Sequence, residues 1–166
     1  ATGWVCLDER AMMQTRLVML ALGGSAVLLL GAFGFQYLGN MAPCKMCYWQ
    51  RYPHAAAIGL GLAFFLIQHR SLLWLGALAA LATGGIGLYH AGVERGLWQG
   101  PASCTSGPID GLSTDDLVAQ IMATPMVRCD DIPWELFGIS MAGWNAILSL
   151  CLMAIWLRAA TQKTTP

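Results

Sequence analysis

The chain has 166 residues, a formal net charge of zero and a composition that is 57% hydrophobic and 11% charged. That gives room for one domain and far too much apolar surface for a soluble core of this size. No basic run or basic amphipathic stretch is present, which discards nucleic-acid and calmodulin-type binding. Marking every Asp, Glu, Lys and Arg leaves four long gaps, Leu17 to Pro43, Tyr52 to His69, Ser71 to Val93 and Leu136 to Leu157. Each can supply the ~20 residues that span a bilayer.

In chain order, residues 1–13 carry Cys6 and are given no fold role. The first predicted helix, about 17–38, is too long for a signal-peptide core and has no small-residue cleavage pattern after it, so it reads as a transmembrane helix. The loop that follows, about 39–49, holds Cys44, Lys45, Met46 and Cys47. Two thiols in a C-x-x-C can close into a small, reducible disulfide. Zinc is a rival, but it needs four ligands in a closed tetrahedron, and the second pair, Cys104 and Cys129, lacks the two-to-four-residue spacing. Covalent haem needs His where Tyr48 stands, and a thioredoxin-like site needs a βαβ setting that is missing. A plain structural staple stays open.

The second predicted helix, about 50–69, begins with Arg51, four residues after Cys47. A cation at the start of an uncharged span is costly unless it has a task or a partner. A permanent guanidinium there favours the Cys47 thiolate, the form that attacks disulfides and can donate electron density to a quinone. A snorkelling anchor is the alternative. Pro53 fits only the first turn of a helix, which predicts a start near Trp49 or Gln50 and leaves Cys47 on the approach.

The connection around Gln68 to Arg70 is so short that the second and third helices form an antiparallel hairpin. Within the spans, Gly23, Gly24, Gly59, Gly61, Gly84, Gly85 and Gly87 are expected to let helices approach closely. The third helix, about 71–92, ends near His90, whose neutral imidazole could hydrogen-bond a quinone carbonyl or simply sit at the interface. His54 and His69 are given no role. The long loop of about 93–135 has irregular backbone at Pro101, Gly107, Pro108 and Gly111. Beyond it, Ser113 or Thr114 caps a short amphipathic helix opened by Asp115 and Asp116. Its apolar face, Leu117, Val118, Ile121 and Met122, lies either on the membrane surface or on the loop itself. The fourth span, about 136–157, contains Cys151, expected to be a small buried hydrophobe.

Four spans put the first and third connections on one side, so Cys44, Cys47, Cys104 and Cys129 face one compartment. The basic residues lean towards cytoplasmic termini, with Arg10, Arg16, Arg70, Arg158 and Lys163 against Lys45, Arg51, Arg95 and Arg128. Paired cysteines persist where the compartment is oxidising, which places that face in the periplasm. The fold class expected is an all-α membrane protein, a four-transmembrane-helix bundle with two cysteine-bearing periplasmic loops.

Three stretches together resemble the DsbB family, disulfide bond formation proteins of the bacterial inner membrane. They are C-K-M-C-Y-W-Q-R from Cys44 to Arg51, Y-H-A-G-V-E-R-G-L-W-Q-G-P-A-S-C from Tyr89 to Cys104, and Cys129 followed by P-W-E-L-F-G from Pro133. The resemblance runs from Arg16 to Arg158 and implies a quinone-linked thiol oxidoreductase. It implies a quinone-proximal pair Cys44–Cys47 and a loop pair Cys104–Cys129, with Cys44–Cys129 as an intermediate between them. By the same resemblance Arg51, Cys47 and His90 attend the quinone, ubiquinone or menaquinone, with no metal, and the partner is a periplasmic DsbA-like protein. Gln50 departs from relatives that carry an acidic residue beside the arginine, and Cys6 has no counterpart. Two alternatives are a vitamin K epoxide reductase-like enzyme, whose C-x-x-C comes late in the bundle, and a disulfide-stapled membrane subunit without activity. Arg51 beside a C-x-x-C argues against the second.

Overall fold

A computed structural model describes residues 2–105, 111, 113–123 and 127–162, with side chains from residue 9 onward. Gly107, Pro108, Asp110 and Lys163, and the side chain of Cys6, lie outside what is described. The elements are α1 (Thr2–Tyr37), α2 (Lys45–Ile67), α3 (Ser71–Glu94), α4 (Thr114–Ala123), β1 (Glu135–Leu136), β2 (Ile139–Ser140) and α5 (Met141–Thr161).

The four long helices form a bundle in which α1, α2, α3 and α5 neighbour one another in that order and α5 closes back on α1. Glu9–Tyr37, Ser71–Glu94 and Met141–Thr161 are long and apolar enough to cross a membrane. α2 carries Gln50, Arg51, Tyr52, Pro53 and His54 in its first turns and falls short of that measure. Leu20, Val27, Leu30, Leu62, Leu66, Leu78 and Leu88 are exposed on the outside of the bundle, where a soluble protein would place polar side chains.

Inside, Trp156 is fully buried. Gly61 admits it because a Cβ there would meet Leu22 at 2.8 Å and Trp156 at 3.3 Å. Gly87 lets α3 lie on α5, its missing Cβ falling 3.0 Å from the Ala142 carbonyl oxygen. Gly24 and Gly84 also face neighbouring side chains, whereas Gly23, Gly59 and Gly85 have nothing within 4 Å and serve no close approach.

Several boundaries differ from those expected. α1 begins at Thr2, because residues 4–22 hold no proline or glycine to end a helix, and Gln14 ties it to α5 by donating to the Ala159 carbonyl at 3.0 Å. α2 begins at Lys45 rather than near Trp49, and Pro53 lies inside it. The start is fixed by Cys44, whose sulfur accepts from the Cys47 amide at 3.2 Å. Proline there disturbs the preceding turn, and the buried Thr83 hydroxyl donates to the Gln50 carbonyl at 3.0 Å within it. α5 begins at Met141 rather than 136, because Phe137 and Gly138 take φ of 53° and 71°. Paired positive φ of this kind closes the two-residue hairpin between β1 and β2. Ser140 then caps α5 by accepting from the Gly143 amide at 3.2 Å. Cys151 is exposed on the outer face of the bundle, not buried. In α4, Ser113 is the cap, accepting from the Asp116 amide at 3.2 Å, while Val118, Ile121 and Met122 are exposed.

Candidate active site

The site lies where the start of α2, the end of α3 and the loop before β1 converge. Cys44, at the N-cap of α2, and Cys47, in its first turn, are free thiols with sulfurs 2.8 Å apart. Cys44 is buried, and Cys47 is the more open of the two. Both precede the apolar part of α2. The thiol of Cys44, beside the Cys47 sulfur, holds Cys47 below the ordinary thiol range despite burial, with Arg51 adding a smaller pull. Cys44 is pushed up by the same contact and by its burial. Cys47 is therefore the more readily ionised thiol of the pair, as a group on the first turn of a helix should be.

Cys104 and Cys129 form a disulfide with Cα atoms 5.4 Å apart. They are 1% and 0% exposed, so the bond is hidden under the loop. The turn after α3 brings Cys104 back. Tyr89 stacks on Trp98 with centroids 6.0 Å apart, the Trp98 indole donates to the Tyr89 carbonyl at 2.8 Å, and Gly96 supplies a φ of 68°. On the other side, Trp134 packs on Phe35 of α1 at 5.2 Å.

His90 joins the two pairs. The Gln50 amide donates to its Nδ1 at 2.9 Å, so Nε2 carries the proton and donates to the Cys129 carbonyl at 3.1 Å, with the Cys44 sulfur at 3.6 Å. A ring nitrogen of His90 and the sulfurs of Cys44 and Cys129 all lie within 4.8 Å of one another. Three such groups could suggest zinc, but the Cys129 sulfur is bonded to Cys104 and both ring nitrogens of His90 are engaged, so the set offers no closed tetrahedron. In this arrangement the His90 Nε2–H is directed at the Cys129 carbonyl, and the ring borders the cavity described below.

Arg51 does not merely snorkel outward. It donates to the Gln36 side chain and, at 3.2 Å, to the Ala32 carbonyl of α1, and lies 5.0 Å from the Phe33 ring and 5.2 Å from that of Tyr48. Its Nε is buried without a partner. This residue borders a cavity of about 640 Å³ between α1, α2, α5 and the loop, together with Cys44, Cys47, His54, His90 and Glu94. The remaining wall is chiefly apolar, with Leu28, Phe35, Trp134 and Trp144 among it. An orphaned N–H beside apolar walls and a thiolate suits a flat, apolar ring with carbonyl oxygens.

Two residues given no role by sequence also border this cavity. His54 is 3% exposed, and its Nε2 donates to Asn145 at 2.9 Å. Asn145 in turn donates to the Gln50 side chain at 2.8 Å, so Gln50, Asn145 and His54 form one buried polar group. The signal was present in the spacing, because Cys47, Gln50 and His54 lie at i, i+3 and i+7 and share a face of α2. Glu94, which falls just inside the loop expected over about 93–135, is instead one helical turn after His90 on α3 and buried.

Two cysteine pairs, one oxidised and one reduced, meeting at the end of an apolar helical bundle define a membrane-associated thiol–disulfide protein. The family described as Disulfide bond formation protein DsbB matches residues 14–159. Disulfide bond formation protein B of Verminephrobacter eiseniae is 35% identical over 89% of this chain and 89% of its own. That of Idiomarina loihiensis is 32% identical over 83% of this chain and 79% of its own. An uncharacterized protein of Rickettsia prowazekii is 29% identical over 78% of this chain and 77% of its own. No solved structure matches. The chain belongs to the DsbB family and is a disulfide bond formation protein.

Proposed function

We propose that this protein oxidises a periplasmic DsbA-like thioredoxin-fold protein and passes the electrons to ubiquinone or menaquinone in the bacterial inner membrane. The observation that carries the reading is the meeting of the two pairs at His90, with the Cys44 sulfur within 4.8 Å of the Cys129 sulfur and Cys47 on the wall of the cavity. A partner thiolate attacks Cys104, forming a mixed disulfide and releasing Cys129 as a thiolate. A second partner thiol then resolves the mixed disulfide and leaves oxidised. Cys129 attacks Cys44 of a closed Cys44–Cys47 pair, and Cys47 leaves as a thiolate at the cavity. Return of Cys104 to Cys129 restores the loop disulfide and leaves Cys44 and Cys47 as two thiols.

His90, held by Gln50, steadies the Cys129 backbone against Cys44 while this exchange occurs. Arg51 offers its free Nε–H to an oxygen of the acceptor and adds a small pull towards the ionised Cys47. A quinone supplies the two-electron sink when bound. We take α2 as the fourth span: its polar residues Gln50 and His54 turn inward to partners, and Leu62 and Leu66 turn outward. The termini are then cytoplasmic, both cysteine loops are periplasmic, and α4 lays its exposed apolar side on the periplasmic face of the inner membrane.

Purified protein in detergent, mixed with a reduced DsbA-like partner and ubiquinone-1, tests the reading through quinone absorbance. Stoichiometric loss of quinone with oxidation of the partner is expected, and an unchanged quinone spectrum refutes it.

A further inference from the structure

We propose that the Glu94 carboxylate carries a thiol proton from the Cys44–Cys47 pair to the quinone in the cavity. The inference rests on the quinone-linked reading above. Closing the pair with Cys47 reacting as the thiolate forms one S–S bond and releases two electrons and the Cys44 proton, the Cys47 proton having already gone to solvent. A quinone becomes a hydroquinone by accepting two electrons and two protons, one on each oxygen: the Cys44 proton and one returned from solvent. Some group near the cysteines has to take up the Cys44 proton and give it back.

Few residues bordering the cavity can do so. Gln50 and Asn145 are amides, and Arg51 keeps its proton. Both ring nitrogens of His90 are engaged, by Gln50 and by the Cys129 carbonyl. Asp131 has a side chain 65% exposed and pairs with Arg128 at 3.7 Å, out in the loop. His54 has an unpartnered Nδ1, but it lies seven residues beyond Cys47, about 10 Å further along the helix axis.

Glu94 remains. Its side chain is 2% exposed and borders the cavity, and Oε1 lies 3.8 Å from the His90 Nε2. The Ser140 hydroxyl bonds to the carboxylate, yet Oε2 is buried without a partner of its own, a costly arrangement unless a proton or ligand meets it there. Its charge also acts on the Cys47 sulfur. The other titratable or charged groups around it are Cys44, Cys47, Arg51 and His54 from α2 and His90 and the adjoining Arg95 from its own segment. Arg128 and Asp131 come from the loop, while the residues of α1, β1 and α5 that border the cavity are uncharged.

The test is a single turnover in nanodiscs: protein with Cys44 and Cys47 reduced is mixed with ubiquinone-1, and quinone absorbance is followed from roughly pH 5 to 9, below and above the ordinary carboxylate and thiol ranges. Glu94→Gln is expected to slow quinone reduction about 100-fold and to remove one limb of the wild-type pH profile, with the thermal unfolding midpoint unchanged. Glu94→Asp should recover part of the rate and the limb. A Glu94→Gln protein with wild-type rate and profile overturns the inference, as does a loss seen in His54→Asn instead. If Glu94→Gln is misfolded, wild-type behaviour of a folded Glu94→Ala or Glu94→Leu serves as the same refutation. A wild-type protein that reduces no quinone refutes the oxidase reading itself, a different and separately visible result.

Discussion

At the scale of single residues, the cysteine pair is an unequal one. Cys44 is the buried donor, and Cys47 is the acceptor held below the ordinary thiol range by it. The protein with both thiols reduced should therefore be alkylated at Cys47 by iodoacetamide at a pH lower than a free cysteine requires. In Cys44→Ala the donor is gone and the midpoint of that alkylation should move up, whereas Cys44→Ser keeps an O–H and should move it less. A midpoint indifferent to residue 44 would show that the contact does not set the ionisation. Arg51 supplies the other polarity at the cavity. Arg51→Ala is expected to raise the quinone KM about 10-fold, the value of a lost charge-assisted hydrogen bond, with kcat less affected. Steady-state kinetics with ubiquinone-1 decides it, and unchanged constants would return Arg51 to the part of an anchor on α1.

At the scale of elements, close approach between α3 and α5 is what brings His90 and Glu94 to the site. Gly87→Val places a side chain against the backbone of Ala142 and Ala146 and should destabilise the bundle by about 1–3 kcal/mol. Gly59→Ala, on an open face of α2, should not. Thermal unfolding in detergent compares the two. The helices themselves were legible, since gaps between charges locate all four long ones and parity groups the four cysteines. Their ends were not. Pro53 suggested a late start for α2, yet a cysteine side chain can cap a helix as Ser or Asp does, and Thr83 from the next helix bonds the disturbed turn. The hairpin before α5 depended on the left-handed φ of Phe137, which its residue type does not advertise. Partners across the bundle, such as Asn145 for Gln50 and His54, require the packing to be known before they can be paired.

At the scale of the whole molecule, the proposed transfer runs through the two pairs in series. Cys104→Ala should abolish oxidation of the partner protein and leave Cys44 and Cys47 able to close when quinone is supplied. Thiol trapping with a maleimide reads both states. A pair that stays reduced in this variant despite quinone would contradict the order of transfer. The three motifs carry the cysteines, Arg51 and His90 that the structure brings together, but the direction of the His90 side chain was not legible in them, because Gln50 and the Cys129 carbonyl meet its ring only once the loop has folded back.

The loop disulfide is sealed from water on both sulfurs. Small thiols that collide at random find nothing to attack, so under the proposed function electrons from glutathione-like molecules have no easy leak into the quinone. A partner must first pry the loop open with binding energy of its own, and in that sense the fold works as a turnstile that admits reducing equivalents only from a protein able to turn it.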